Sequence, residues 1–245
     1  MFVEQRFNVG IQDSGAGGQL TNKALIEAMS NMANYHGFLV GQSSLDNSAT
    51  NYAWVVLNWK LEVLSCARRP LVCEDYTVRT WARPYSRAFA IRDFDAVNAD
   101  GETFARATSK WSVVRRDDRT MVKLSPEIMD AYEVEAETTA FPADEDKFDR
   151  MRYQAQPTRE ATLPIMKFMI DCNQHVHNSA YLDLVTEALP EGIDQQLFDH
   201  LEIAYRREIA PGATVQLHYT PLEDGAHFVT IDGAEGTLHA TALMR

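Results

Sequence analysis

Residues 53–63, AWVVLNWKLEV, set Val55, Leu57, Trp59, Leu61 and Val63 at every second position, with Asn58, Lys60 and Glu62 on the alternate ones. A period of two puts the apolar set on one face of a strand and the polar set on the other, so the stretch reads as a half-buried β-strand. Immediately upstream the period changes. In LTNKALIEAMSNMANYHGFL (20–39), Leu25, Ala28, Met29, Met32 and Ala33 recur at three- and four-residue spacing, after a Gly-rich turn and a capping position at Thr21. That spacing predicts one helix over residues 20–38. Downstream, DYTVRTWAR, RAFAIRDFDAV and ETFARATSKWSVVRR read as strands, separated by RPYS and NADG, which have the composition of turns. The first half is therefore a helix followed by a strand meander.

The second half follows the same order. A short strand, TLPIMKFMI, precedes a helix, AYLDLVTEAL, and then LEIAYRREI, TVQLHYTPL, AHFVTIDG and GTLHATALM. The wording recurs as well: LEVLSCARRPLVCEDYTVRTW (61–81) parallels LEIAYRREIAPGATVQLHY (201–219), an internal repeat of about 100 residues. Between the halves, residues 128–149 hold eight acidic groups and one lysine, with Pro142 and a poor apolar pattern, the composition of a solvated linker or cover segment. The expected division is 1–127, an acidic linker 128–150, and 151–245. A helix followed by antiparallel strands, without crossover helices, implies an α+β arrangement in which a sheet wraps a helix. Two such copies would pair edge to edge into one continuous sheet and hide two edges.

Composition bounds the function. With 35 acidic and 23 basic side chains the net charge is −12, which disfavours general attraction to nucleic acid or an anionic membrane. No apolar run approaches the roughly 20 residues of a membrane helix, so no stable membrane insertion is expected, and MFVEQRFNVG lacks the layout of a signal peptide. Cys66, Cys73 and Cys172 are an odd set without CxxC spacing, which argues against a disulfide framework and a thiolate zinc site and fits a reducing cytoplasm.

Several candidate motifs resolve to plain readings. GAGG at 15–18 lacks the lysine and spacing of a phosphate loop and reads as a turn. His175 and His177, with Cys172 nearby, have no fixed third ligand, so no metal is expected. There is no GxSxG elbow, and Ser43 and Ser44 have no evident base. DCNQHVHN (171–178) is different. It places Asp171, Asn173 and His175 at alternate positions just before a helix, while YRRE (205–208) ends a strand with Glu208 that sequence order sets beside the same helix. Singly, each is a helix cap or a surface residue. Together, a carboxylate, an imidazole, an amide and a helix N-terminus supply a base, an orienter and oxyanion donors for attack on a carbonyl.

At these residues the chain resembles the acyl-acyl carrier protein thioesterases, the plant FatA and FatB enzymes and their bacterial relatives. DCNQHVHNSAYLDLV is similar to their D-x-N-x-H-x-x-N-x-x-Y signature, and YRRE and the aromatic TW at 80–81 extend the similarity over nearly the whole chain. The resemblance implies a tandem (double) hot dog fold, with two antiparallel sheets, each wrapped around a long helix, joined into one. It also implies hydrolysis of acyl carrier protein thioesters without a cofactor. In two places the chain departs from the family. Ile209 stands where the plant enzymes often have a cysteine, which excludes a cysteine nucleophile there, and the usual asparagine pair appears as His177 and Asn178.

On that resemblance Glu208, helped by His175, activates water. Asn173 positions the carbonyl or the water, Asp171 orients the network, and backbone N–H groups at the start of the 178–189 helix polarise the carbonyl. A thiolate with a pKa of about 8.5 leaves without a metal or a strong acid. Asn178 and Tyr181 are further substrate contacts. The first half, whose helix opens LTNKAL without such a set, is expected to supply the acyl tunnel, with Met29, Met32 and Trp54 as lining. An acidic acyl carrier protein would dock on a local basic surface, either Arg68, Arg69, Arg83 and Arg87, or Arg115, Arg116 and Arg119, the latter also readable as a solvated hairpin end interleaved with Asp117 and Asp118. The alternatives are an acyl-CoA thioesterase of the same fold, a hot dog dehydratase, and a non-catalytic acyl- or carrier-binding module. The residues leave acyl chain length open, and the chain is expected to be a monomer or homodimer.

Overall fold

Strands β2 (Tyr52–Val63) and β8 (His200–Tyr205) pair antiparallel and join two half-sheets. The computed structural model describes residues 1–42, 51–153 and 155–245; Ser43 and Ser44 lie outside the described residues. The other elements are β1 (Phe2–Asn8), α1 (Asn22–Leu39), β3 (Asp75–Ala82), β4 (Ala90–Asn98), β5 (Thr103–Arg115), β6 (Met121–Val122), α2 (Pro126–Met129), β7 (Arg159–Pro164), α3 (Ala180–Ala188), β9 (Thr214–Pro221), β10 (His227–Gly233) and β11 (Leu238–Met244). Outward from the seam the order is β2-β5-β4-β3-β1 on one side and β8-β11-β10-β9-β7 on the other, with β6 beside β5. Each strand thus occupies the place of its counterpart. At the seam Leu61 faces Leu201, flanked by Lys60 opposite Glu202 and Glu62 opposite His200. The LE dipeptides that open the sequence repeat therefore meet on the local two-fold that relates the halves.

Helix α1 starts where its cap chemistry puts it, with Thr21 accepting a hydrogen bond from Ala24 N–H at 3.2 Å. It packs on β1 and β3, while the nine-residue α3 packs on β7, β9 and β10. Each half is a sheet curled on a helix, and the two form a double hot dog around a shared core that includes Leu25, Trp59, Phe94, Leu184 and Ile203.

Three local departures from the sequence reading have physical causes. The alternation in β2 is interrupted by a bulge. Val56 pairs with Trp111 and Asn58 with Lys110, so Leu57 is the extra residue and Val56, not Val55, shares the inner face with Trp59. Strand β7 lies three residues upstream of TLPIMKFMI and ends at Pro164, with a 3-10 turn at Lys167–Met169, as a proline without an N–H suits the end of an edge strand. Edge strand β1, largely exposed, carries too weak an apolar pattern to be read beforehand.

The acidic segment between the halves lies across the outer face of the sheet. One register row runs Trp81–Asp93–Thr108–Lys60–Glu202 over five strands. The segment follows that row. Trp81 Nε1 donates to Thr138 O (3.0 Å), and Ala140 N–H donates to Asp93 Oδ2 (2.8 Å). Further along, Lys60 Nζ donates to Glu145 O (2.6 Å) and Asp149 N–H to Glu202 Oε2 (2.7 Å). Arg83 pairs with Asp146 and Arg106 with Glu145, and the buried Phe141 ring lies under Lys60 and Arg106 at 4.8 and 4.6 Å. Two of the segment's acids, Glu145 and Asp146, meet arginines of that face, while its backbone N–H groups meet Asp93 and Glu202. Phe141→Ala should therefore lower unfolding free energy by about 3 kcal/mol, as for other buried aromatics. An unchanged urea midpoint would show that the segment only tethers the halves.

Candidate active site

The DCNQHVHN stretch forms a tight loop closed by an Ile170–Val176 bridge. Asp171 N–H donates to His175 O (2.9 Å) and Gln174 N–H to Asp171 O (3.1 Å), with Gln174 in the left-handed region at φ 65°. The Asp171 carboxylate accepts from Asn173 N–H at 2.8 Å and from His175 N–H at 3.5 Å, and the Asn173 amide donates to its other oxygen at 3.3 Å. Asp171 therefore shapes the loop backbone and does not touch the imidazole. Val176 N–H donates to Ile209 O (3.1 Å) and docks the loop on the segment after β8.

That docking brings His175 and Glu208 together. His175 Nε2 lies 3.1 Å from Glu208 Oε2 and accepts a 3.1 Å hydrogen bond from Arg119, whose guanidinium is also 3.4 Å from Glu208 Oε1. Arg119, expected at a docking surface, thus joins the site. Tyr181, expected to touch substrate, also holds Glu208 in place. Its hydroxyl accepts from Ile209 N–H (3.2 Å) and donates to Arg207 O (3.4 Å), bracketing the glutamate from both sides. Tyr205 does the same for the other segment by donating to Asn178 O at 2.9 Å. The start of α3 is less open than expected. Ala180 N–H and Leu182 N–H already donate to His177 O and Ser179 O. The neighbouring Asn178 N–H has no acceptor among the described residues.

These groups line a cavity of about 950 Å³ that runs from His175, Glu208 and Asn178 in the second half to Trp54, Tyr132 and Arg92 in the first. Met29 and Met32 do not line it. Both are fully buried in the core, and the side of α1 that meets the cavity carries Ser30, Asn31, Ala33, Asn34 and Gly37. Helical spacing selects the side chains facing the sheet, and these are the methionines. At the first-half end, His36 Nδ1 accepts from Arg92 Nη1 at 2.9 Å, and the His36 and Tyr132 rings meet edge-on at 5.1 Å. Burial, reinforced by the Arg92 charge, lowers the His36 pKa to about 3, so the imidazole is neutral. Arg92 keeps its charge near neutrality, although burial lowers its pKa to about 10.

The expected docking arginines separate. Arg69 is buried and donates to Leu20 O, Asn22 Oδ1 and Phe198 O, clipping one half to the other. Arg83 is held by Asp93 and Asp146 under the acidic segment, and Arg68 is paired with Glu74. Arg69 and Arg83 are too enclosed to form an open docking surface, whereas Arg68, paired with Glu74, and Arg87 stand exposed. Around the cavity the structure instead gathers Arg116 and Arg119 with Arg206 and Arg207, with Arg115 exposed beside them. Arg206 and Arg207 carry no signal in the sequence beyond the YRRE run that ends in Glu208; only the fold sets them on the cavity wall.

Comparison with known proteins gives the family. The acyl-ACP thioesterase N-terminal domain model matches residues 1–132, and the acyl-ACP thioesterase C-terminal domain model matches residues 154–242. An oleoyl-acyl carrier protein thioesterase of Coriandrum sativum is 29% identical over 98% of this chain and 67% of its own length. An Arabidopsis thaliana oleoyl-acyl carrier protein thioesterase is 27% identical over 84% of this chain and 58% of its own length. The chain thus spans roughly three fifths to two thirds of these curated relatives. The crystal structure of an acyl-ACP thioesterase from Bacteroides thetaiotaomicron superposes with a TM-score of 0.86 at 22% identity, covering 99% of this chain and 96% of that one. The 12:0-ACP thioesterase from Umbellularia californica also gives 0.86, at 20% identity, covering 100% and 96%. At these identities the superpositions speak for the fold.

One consequence of the His36 burial is measurable. The unfolded imidazole takes up its proton near 6.5 and the folded one only near 3, so between those values the unfolded state binds more protons. Stability should fall as pH drops through this window and level off below it. In His36→Gln this contribution disappears, so the stability gap between parent and variant, measured by urea unfolding, should narrow by a few kcal/mol from neutral pH to about pH 4. A constant gap would mean that His36 is not held neutral.

Proposed function

The chain belongs to the acyl-ACP thioesterase family, and from that premise we propose that it hydrolyses the thioester between a fatty acyl group and acyl carrier protein. The observation that carries this reading is the His175–Glu208 pair, 3.1 Å apart on the wall of a cavity that spans both halves. Water beside the His175–Glu208 pair gives up a proton to Glu208 as its oxygen attacks the thioester carbon. The C–S bond then breaks and the proton passes to the departing thiolate. The leaving group is stable enough, at a pKa of about 8.5, to need no strong acid. Asn178 N–H, without another acceptor and on the cavity wall, suits the oxyanion, and Asn173, anchored on Asp171, can orient the water. Arg119 supports negative charge on Glu208, a modest effect because both side chains are about half exposed.

Acyl carrier protein is acidic, and the arginines around the cavity provide a cationic surface in a chain of net charge −12. The three cysteines are free and exposed, which supports a reducing compartment such as the cytoplasm.

On acyl carrier protein substrates, His175→Ala and Glu208→Gln should each lower kcat on the order of 10²-fold or more. The double variant should lose far less than the product of the two. Unchanged kcat in both single variants would remove the mechanism. For docking, Arg115→Glu with Arg206→Glu should raise KM for carrier-linked substrates and flatten its salt dependence, while small acyl thioesters should turn over as before. Equal effects on both substrate types would place these arginines in the chemistry and not in docking.

A further inference from the structure

Arg92 is buried at 8% exposure on the inner face of β4, and its partners are all neutral. Nη1 donates to His36 Nδ1 at 2.9 Å and to Thr80 Oγ1 at 3.3 Å, and the guanidinium lies 5.4 Å from the centre of the Tyr132 ring. Among the described residues no carboxylate meets it, whereas Arg69, Arg79, Arg83 and Arg106 each face one. A buried cation is ordinarily paired, since its lost hydration must be replaced. Arg92 lines the cavity, and so does Ser30 on the α1 wall, whose buried Oγ has no partner among the described residues. A plain hydrocarbon chain at this end of the cavity would offer the Arg92 guanidinium no acceptor.

The register also fixes the depth. Arg92 shares a row with Ser109, Trp59 and Ile203, so three strand spacings, about 14 Å, separate its strand from β8, whose extension carries Glu208. An oxygen atom close to the thioester carbon would not reach Arg92. We infer that the acyl groups this site prefers carry a hydrogen-bond-accepting oxygen, as a hydroxyl or carboxylate, towards the far end of the chain, where Arg92 receives it. The inference rests on the thioesterase reading and names its substrate class.

The test is a competition among acyl carrier proteins loaded with chains of one length: unsubstituted, 3-hydroxy, ω-hydroxy and ω-carboxy. The parent protein should favour the ω-substituted chains in kcat/KM on the order of 10-fold or more over the unsubstituted one, and should show no such preference for the 3-hydroxy chain. The better of the two ω-substituents tells hydroxyl from carboxylate. Arg92→Met should abolish the preference while unsubstituted chains turn over at least as well, and Arg92→Lys should restore part of it. A parent preference for plain chains, or an equal loss on every chain in Arg92→Met, would overturn the inference; the second result would assign Arg92 to the carrier's arm or to folding. Calorimetric binding of the free ω-hydroxy, ω-carboxy and unsubstituted acids to the parent protein reads the same preference without turnover. Binding preference without hydrolysis would refute the thioesterase reading alone, and hydrolysis without preference would refute this inference alone.

Discussion

The pairing of β2 with β8 is the constraint on which the rest of the molecule depends. Each half leaves one strand at the edge of its half-sheet with outer N–H and C=O groups that need partners, and the two strands satisfy each other in antiparallel register about Leu61 and Leu201. Once that seam forms, α1 and the α3 loop are brought to one side of a continuous sheet, with both halves contributing walls to one cavity. The acidic segment crosses the seam on the other side, from Trp81 to Glu202, so the two halves are held by main-chain ladder and strap together.

The groups of the candidate site are positioned by backbone hydrogen bonds and not by their own attraction. Glu208 and Arg119 are about half exposed, and at that exposure Coulomb attraction is screened and contributes little. Placement comes from Val176 N–H on Ile209 O and from the buried Tyr181 hydroxyl, which bonds the chain on both sides of Glu208. Removing a buried acceptor of this kind leaves Ile209 N–H unsatisfied, a penalty of about 1–3 kcal/mol. The geometry of the pair is therefore tied to the stability of the fold around it.

Charge is sorted by location. The net −12 conceals two opposite arrangements: acids of the crossing segment pair with arginines of the outer sheet face, while other arginines gather around the cavity. The first neutralises a buried contact and the second leaves a local positive field in an acidic molecule.

The period-two run at 53–63, the helical spacing after Thr21 and the recurring LE strands were enough to specify sheet, helix and duplication, because these follow from local backbone geometry. The proximity of Asp171, Asn173, His175 and Glu208 was legible for the same reason: it is set by a short loop and a strand end. What local periodicity cannot carry is the partner on the far side of a contact. The bulge at Leu57, the core placement of Met29 and Met32, the burial of Arg69 and Arg83, and the carboxylate-free setting of Arg92 against His36 each depend on which distant segment packs opposite. In sequence these arginines look alike. Only the folded chain decides which meets a carboxylate, which meets a carbonyl and which faces the cavity, because the energy of a charged side chain is set by its surroundings in space and not by its neighbours in the chain.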